Sequence, residues 1–332
     1  MAWAARLECT SVYCAGALAD SDLNVVFGGS GALGSAVVRA LVRAGRPVRV
    51  ISRRRPDQLP AGVDWAGADA ADVPAATRAC GNAAVVFHCA AAPYTDWPRS
   101  FPPILRGIIE AAAGARARLI YGDNLYMYGP VDGPIHEGLP AAATGRKGRV
   151  RAAMADTLLQ ADRSGRVRVA IGRAADFYGP GVVNSVLGDR VFGAIARHRP
   201  ARLLGNVDAP HSFMFIDDFA RGLLTLSERE EALGQVWHIP SAPPTTARML
   251  VAMACEAAGV PPRLRVAPRA LVAALSLVHP TLRQLRELRY SFERSYVVDH
   301  TKFERAFGAH PTRHADGVHQ TMEWFRQRGA PS

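Results

Sequence analysis

The chain has 332 residues, 49% apolar and 21% charged, with 30 Gly and 23 Pro spread without a repeat. At roughly 100–200 residues per domain that is one large domain or two unequal ones, and the balance excludes disordered, collagenous and low-complexity chains. The formal net charge of +11 comes almost wholly from arginine, since Lys147 and Lys302 are the only two lysines. The arginines are scattered rather than gathered into a stripe with interleaved aromatics, so they read as coding bias and a solvated basic surface, not as a nucleic-acid footprint. No apolar run approaches the ~18–20 residues that cross a bilayer. The five cysteines (Cys9, Cys14, Cys80, Cys89, Cys255) are odd in number, with neither CxxC nor zinc-ligand spacing, which suits a reduced, cytoplasmic protein without structural metal.

In chain order, residues 1–22 read as an N-terminal tail and a poor signal peptide. Leu23–Phe27 is a short apolar run that stops at glycine and predicts a buried strand. Gly28-Gly29-Ser30-Gly31-Ala32-Leu33-Gly34 follows, and Ser35–Ala44 then has helical periodicity. Further strands are predicted at Val48–Ile51, Val63–Ala66, Ala84–His88, Leu119–Tyr121 and Val167–Ile171, and helices at Phe101–Ala113 and Gly148–Arg163. Alternating short strands and helices imply a parallel sheet covered on both faces. Beyond residue 175 the pattern loosens, with helical stretches at Asp218–Leu226, Ala247–Ala258 and Pro280–Leu288 and a strand at Val236–Ile239. The expected architecture is α/β: a Rossmann-like doubly wound parallel sheet over residues 23–175, then a smaller, mainly helical substrate lobe over 176–332, with some segments returning to the sheet.

Gly28-x-x-Gly31-x-x-Gly34 lies directly between a strand and a helix. The first glycine permits the tight turn, the second lets backbone approach a pyrophosphate, and the third lets the helix pack close. The helix N-terminus then stabilises the phosphates. The second strand ends in Ser52-Arg53-Arg54-Arg55, with no acid before Asp57. A carboxylate there would hold a ribose 2′-hydroxyl, whereas guanidinium groups bind a 2′-phosphate. The expectation is therefore NADP(H) rather than NAD(H), with Arg53 and Arg54 at the phosphate.

Several motifs follow in order: Asp69-x-x-Asp72, Phe87-His88-Cys89-Ala90-Ala91, Tyr128-Gly129-Pro130, Phe177-Tyr178-Gly179-Pro180-Gly181, Phe213–Asp218, and Asp299-x-x-Lys302 before Phe307-Gly308. With the glycine loop, they make residues 23–328 resemble the extended short-chain dehydrogenase/reductase family in its NAD(P)-dependent epimerase/dehydratase branch. The resemblance implies that Asp69 and Ala70 lie by the adenine and that His88, Cys89, Ala90 and Ala91 line the ribose and pyrophosphate. It also implies that Lys147 holds the nicotinamide ribose, and Arg173 joins the cofactor set. Homodimerisation through the helices around Lys147 is a further implication.

The same family rests its chemistry on a Ser or Thr after the fifth strand and on Tyr-x-x-x-Lys. Counting back from Tyr128-Gly129 puts the hydroxyl position on Asn124, or on Asp123 with a shift of one. Counting back four from Lys147 gives Ala143. Neither hydroxyl is present, so Asp123, Asn124 and Tyr126 stand beside Lys147 as the catalytic candidates, with Asn124 able to donate to a carbonyl oxygen. Tyr94, Trp97, Asp176, Tyr178 and His211 are the candidate substrate contacts. His211-Ser212 stands where sugar-nucleotide relatives often have Arg-Asp, which argues against a nucleotide sugar. The apolar, aromatic segment Leu271–Tyr290 suits an apolar substrate. The reading is a reductase of a carbonyl, imine or activated double bond. Its rivals are a non-redox isomerase or cyclase with a structural cofactor, and a non-catalytic cofactor sensor.

Overall fold

The computed structural model describes residues 22–268 and 286–329. The expected tail with Cys9 and Cys14 lies outside the described residues, as does most of the apolar segment Leu271–Tyr290. Of the helix expected over Pro280–Leu288, only a single 3-10 turn, Arg286–Leu288, lies within them.

The strands are β1 (Asn24–Phe27), β2 (Val48–Ser52), β3 (Asp64–Gly67), β4 (Val85–His88), β5 (Arg118–Asp123) and β6 (Val169–Arg173), joined after a long excursion by β10 (Gln235–His238). They form one seven-stranded sheet in the order β10-β6-β5-β4-β1-β2-β3, and every pairing is parallel. The strand order reverses between β1 and β4, the crevice where open sheets bind ligands.

Side chains alternate along each strand between the two faces. Val25, Phe27, Leu119 and Tyr121 pack towards α3 (Trp97–Ala115) and α4 (Arg146–Arg163). Val26, Val50, Phe87 and Ile120 pack towards α1 (Ala32–Arg43) and α6 (Ile216–Glu228). Arg39 and Arg43 both reach the buried Asp217 and so fasten α1 to α6.

The expected strands all form, and two boundaries differ in ways that matter. β5 runs on to Asp123 and β6 to Arg173, which puts both side chains at the carboxyl edge. α4 starts at Arg146 rather than Gly148, so Lys147 lies in its first turn and Ala143 precedes the helix. Several helices had no predicted counterpart, among them Thr301–Phe307, His314–Gly329 and, beside the sheet, α2 (Val73–Cys80), capped by Asp72, whose carboxylate accepts from Ala75 N.

The lobe has its own core. β7 (Phe177–Tyr178) pairs with β9 (Met214–Phe215), and β8 (Ala201–Leu203) pairs with β11 (Leu264–Val266). Around them pack the short α5 (Ala194–Ala196), α7 (Ala247–Ala258) and the last helix, His314–Gly329. No helix among the described residues is long and apolar enough to cross a membrane.

Candidate active site

The glycine loop is shaped by close approaches. Gly28 sits at φ +81°, and an added Cβ would lie 2.6 Å from Ala90 Cα and 2.7 Å from Cys89 O. A side chain at Gly34 would drive into the carbonyl of Gly28, and one at Gly29 would meet Val50 Cγ1 at 2.7 Å. Gly31 differs. Its φ is −79°, and an added Cβ would meet only Gly28 O, at 3.3 Å. The fold therefore demands glycine at 28, 29 and 34 and leaves space at 31. Gly31 is also the N-cap of α1, and no side chain caps it. This is the cradle that a dinucleotide pyrophosphate fits, with Ser30 exposed and Ala32 and Leu33 half-buried beside it.

Around the cradle, Asp69 is exposed and closes a turn by accepting from Ala71 N at 2.9 Å, while the carbonyl of Ala70 touches Gly107 of α3 so closely that no side chain fits there. Ala90 is half-buried and Ala91 exposed. Cys89 continues β4, its N–H donating to Phe27 O. His88 is fully buried with its ring 4.8 Å from that of Tyr121, and neither ring nitrogen has a hydrogen-bond partner. Burial, and then the charge of Arg151, push its pKa down to about 3, so it is neutral.

Asp123 lies buried between two arginines. Its side chain is wholly buried, and its two oxygens lie 3.3 Å from Arg151 Nη1 and 3.3 Å from Arg173 Nε. Arg151 also donates to Tyr121 Oη, and Arg173 donates to Tyr128 Oη at 2.7 Å. Tyr128 Oη lies 2.9 Å from His238 Nε2. Asp123, expected as a catalytic candidate, and Arg173, expected in the cofactor set, are thus members of one buried chain beneath the carboxyl edge.

Asn124 is half-buried, and its Oδ1 accepts from Tyr126 N at 3.0 Å. That bond fixes the amide so that its NH2 group remains to donate. Tyr126 stacks on Trp97 with centroids 6.1 Å apart. Burial, with the nearby Asp176 and Tyr94, raises its pKa well above the ordinary phenol value, so it holds its proton.

Lys147 is 4% exposed. Its Nζ lies 3.3 Å from Glu287 Oε1 and 4.2 Å from the centroid of the Tyr94 ring. Glu287 also accepts from Lys147 N at 3.3 Å and so caps the start of α4 from the lobe side. Burial lowers the Lys147 pKa, partly offset by Glu287. Sequence reasoning missed Glu287, which stands 140 residues from its partner.

Of the remaining candidates, Tyr94 and Trp97 meet edge-on at 5.3 Å. Asp176 Oδ2 lies 3.3 Å from His211 Nε2. Tyr178 belongs elsewhere. It is 1% exposed in the lobe core, stacked on Phe192, with its hydroxyl 3.1 Å from His314 Nδ1. It packs the lobe rather than lining the cleft.

The NADP(H) preference needs correction. Arg53 and Arg54 are exposed beyond β2, and the strand end is closed instead by the Ser52 hydroxyl, which donates to Arg54 O at 2.7 Å and accepts from Trp65 Nε1 at 3.1 Å. Solvated guanidiniums on an Arg-rich surface do not by themselves make a phosphate site. A crystal structure of UDP-glucuronic acid 4-epimerase from Bacillus cereus, in complex with UDP-glucuronic acid and NAD, is similar at 18% identity, TM-score 0.76, with 92% of this chain and 99% of that one covered. WbmH of Bordetella bronchiseptica, in complex with NAD+, matches at 19% identity, TM-score 0.73, over 92% and 99% of the two chains. The structure of gox2253 matches at 20% identity, TM-score 0.77, over 93% and 99%. These relatives hold NAD where a cofactor is named, which overturns the expected choice of NADP(H). No curated protein sequence matches the chain. The model of the NAD dependent epimerase/dehydratase family matches residues 24–239, from the first strand through the glycine cradle, the Asp123 edge and Lys147 to the seventh strand of the sheet; the chain belongs to that family.

Proposed function

We propose that the chain is an NAD(H)-dependent enzyme that moves hydride to or from a small molecule other than a nucleotide sugar, without a tyrosine acid. The observation that carries this reading is Lys147, buried in the first turn of α4 against Tyr94 and Glu287. A lysine is expensive to bury, and its position suits a cation that holds a ribose at the carboxyl edge. When bound, the dinucleotide supplies or takes up hydride at its nicotinamide ring. The chain's own residues hold it: the 28–34 loop at the pyrophosphate, Asp69 and Ala70 towards the adenine, and Lys147 at the second ribose. The Asn124 amide donates to a substrate oxygen or nitrogen, and the lobe beyond residue 175 supplies the substrate contacts. Ala143 has no proton to give, and the Tyr94 and Tyr126 phenols are held protonated by burial and by Asp176, so they orient by donating and do not act as bases. On the substrate side Asp176 and Glu287 outnumber Lys147, an acidic balance that disfavours a diphosphate. The UDP-glucuronic acid bound by the Bacillus cereus relative is for that reason not carried over.

The test is a titration with NADH and NADPH followed by turnover of Asn124→Ala. NADH should bind at least as tightly as NADPH. The variant should lose about tenfold or more in turnover, the low end of what a positioned polar group supplies, with NADH affinity unchanged. Strong NADH binding with no hydride transfer to any carbonyl, imine or enone offered would favour a cofactor-binding protein without redox turnover.

A further inference from the structure

Side chains that follow three strands of the sheet and side chains from three parts of the lobe gather into one acidic, aromatic cluster. Tyr94 follows β4, Tyr126 follows β5 and Asp176 follows β6, while the lobe contributes His211, Tyr290 and Tyr296. The Asp176 carboxylate raises the phenol pKa of Tyr94, Tyr126, Tyr290 and Tyr296, after burial in each case, so it lies within electrostatic reach of all four rings. Among the described residues, no lysine or arginine pairs with it. Lys147 stands on the Tyr94 side of the group, 4.2 Å from that ring's centroid, and pairs with Glu287 at 3.3 Å; Arg294, which shares a small recess with Asp176 and His211, is largely exposed and paired with Asp132 at 3.7 Å. His211 comes within 3.3 Å but makes no hydrogen bond from its Nε2, and its ring is stacked on Phe213 at 4.3 Å.

Three buried polar atoms in this group have no hydrogen-bond partner: Tyr290 Oη, Tyr296 Oη and His211 Nε2. Tyr296 is 4% exposed and His211 6%, and the Tyr296 ring lies 5.2 Å from that of His211 and 6.4 Å from that of Tyr290. Buried polar groups left unpaired are costly, and a half-buried carboxylate without a lysine or arginine partner adds to the cost. Both costs vanish if the cluster receives a hydrogen-bonding cation. A ring of phenols around a carboxylate is also the arrangement that attracts an organic ammonium, through the π faces and the charge together.

We propose that this cluster binds the positively charged nitrogen of the substrate, an ammonium or iminium group, with Asp176 as its counter-ion and Tyr296 among its walls. This assignment rests on the reading of the chain as an NAD(H)-dependent enzyme and narrows its substrate class. It agrees with a second observation. An iminium carbon takes hydride to give an amine with no proton added, and neither Ala143 nor Asn124 has a proton of suitable acidity to add.

Calorimetry on the NADH-saturated full chain at pH 7 tests it with three probes of one shape: phenethylamine (protonated at that pH), 2-phenylethanol and phenylacetate. Phenethylamine should bind about tenfold or more tightly than the alcohol, and phenylacetate most weakly. Asp176→Asn should bring the amine down to the level of the alcohol, and Tyr296→Phe should weaken the amine while circular dichroism is unchanged. Equal affinities, a preference for phenylacetate, or an amine preference that survives Asp176→Asn would each overturn the proposal. NADH affinity, read in the same samples, separates the two layers. Chain that binds NADH without amine preference sinks only this inference, whereas chain that binds no NADH sinks the reading beneath it.

Discussion

At the scale of single residues, the three motif glycines are not equivalent. A side chain at Gly28 or Gly34 collides with the protein's own backbone, but one at Gly31 does not. Gly31→Val should therefore keep its melting temperature within a few degrees and lose NADH binding in a fluorescence titration, whereas Gly34→Val should fail to give folded protein. His88 makes the second prediction at this scale. Its folded pKa of about 3 lies below the ordinary histidine value of 6.5. The neutral ring thus contributes its full stability above pH 6.5, and that contribution falls as pH drops towards 3. Between pH 6.5 and 5 the loss amounts to about 2 kcal/mol. His88→Leu should flatten that part of the melting temperature against pH for the apo protein. An equally steep decline in the variant would assign it to other groups, first among them His238, whose pKa burial pushes down to about 4.

At the scale of elements, the buried chain from Tyr121 through Arg151, Asp123, Arg173 and Tyr128 to His238 ties α4, β5, β6 and β10 into one edge. Removing one partner of a buried ion pair costs about 3–5 kcal/mol. Asp123→Asn leaves two guanidiniums facing each other and should reach that range in denaturant unfolding. Arg173→Met leaves Asp123 its bond to Arg151 and should cost clearly less, and the reverse order would break this account. The strands were legible because short β-branched runs ending at glycine or a charged residue have few other uses. α2 was not, because Val73–Cys80 is only eight residues long, with a proline in its first turn and small alanines on much of its surface. The cradle was legible because its glycines are local in sequence. The ion pairs of Asp123 were not, since its arginine partners lie 28 and 50 residues further on. The surroundings of Asp176 were legible only in part, as the separate residues Tyr94, Tyr126 and His211, because Tyr290 and Tyr296 reach it only through folding. Arg53 and Arg54 misled because charge type was readable in the sequence and solvent exposure was not.

At the scale of the whole molecule, cofactor binding and folding are linked. A ligand that binds only the folded chain stabilises it by about 2.7 kcal/mol at a hundred times its dissociation constant. NADH at that excess should raise the melting temperature of the natural chain and of Asp176→Asn alike, and leave that of Gly31→Val unmoved. A rise in Gly31→Val would place the dinucleotide somewhere other than the cradle.

The late arrival of β10 bears on how the chain is made. β6 ends at Arg173 and its outer neighbour begins only at Gln235, after much of the lobe. At roughly 5–20 residues per second, the intervening ~60 residues take about 3–12 s to leave the ribosome. Throughout that interval Val169-Ala170-Ile171 is an apolar parallel edge whose N–H and C=O groups await partners. A nascent chain paused there is at its most adhesive, and a holding chaperone that engaged it at that length and released it once His238 had emerged would raise the yield without touching the finished fold.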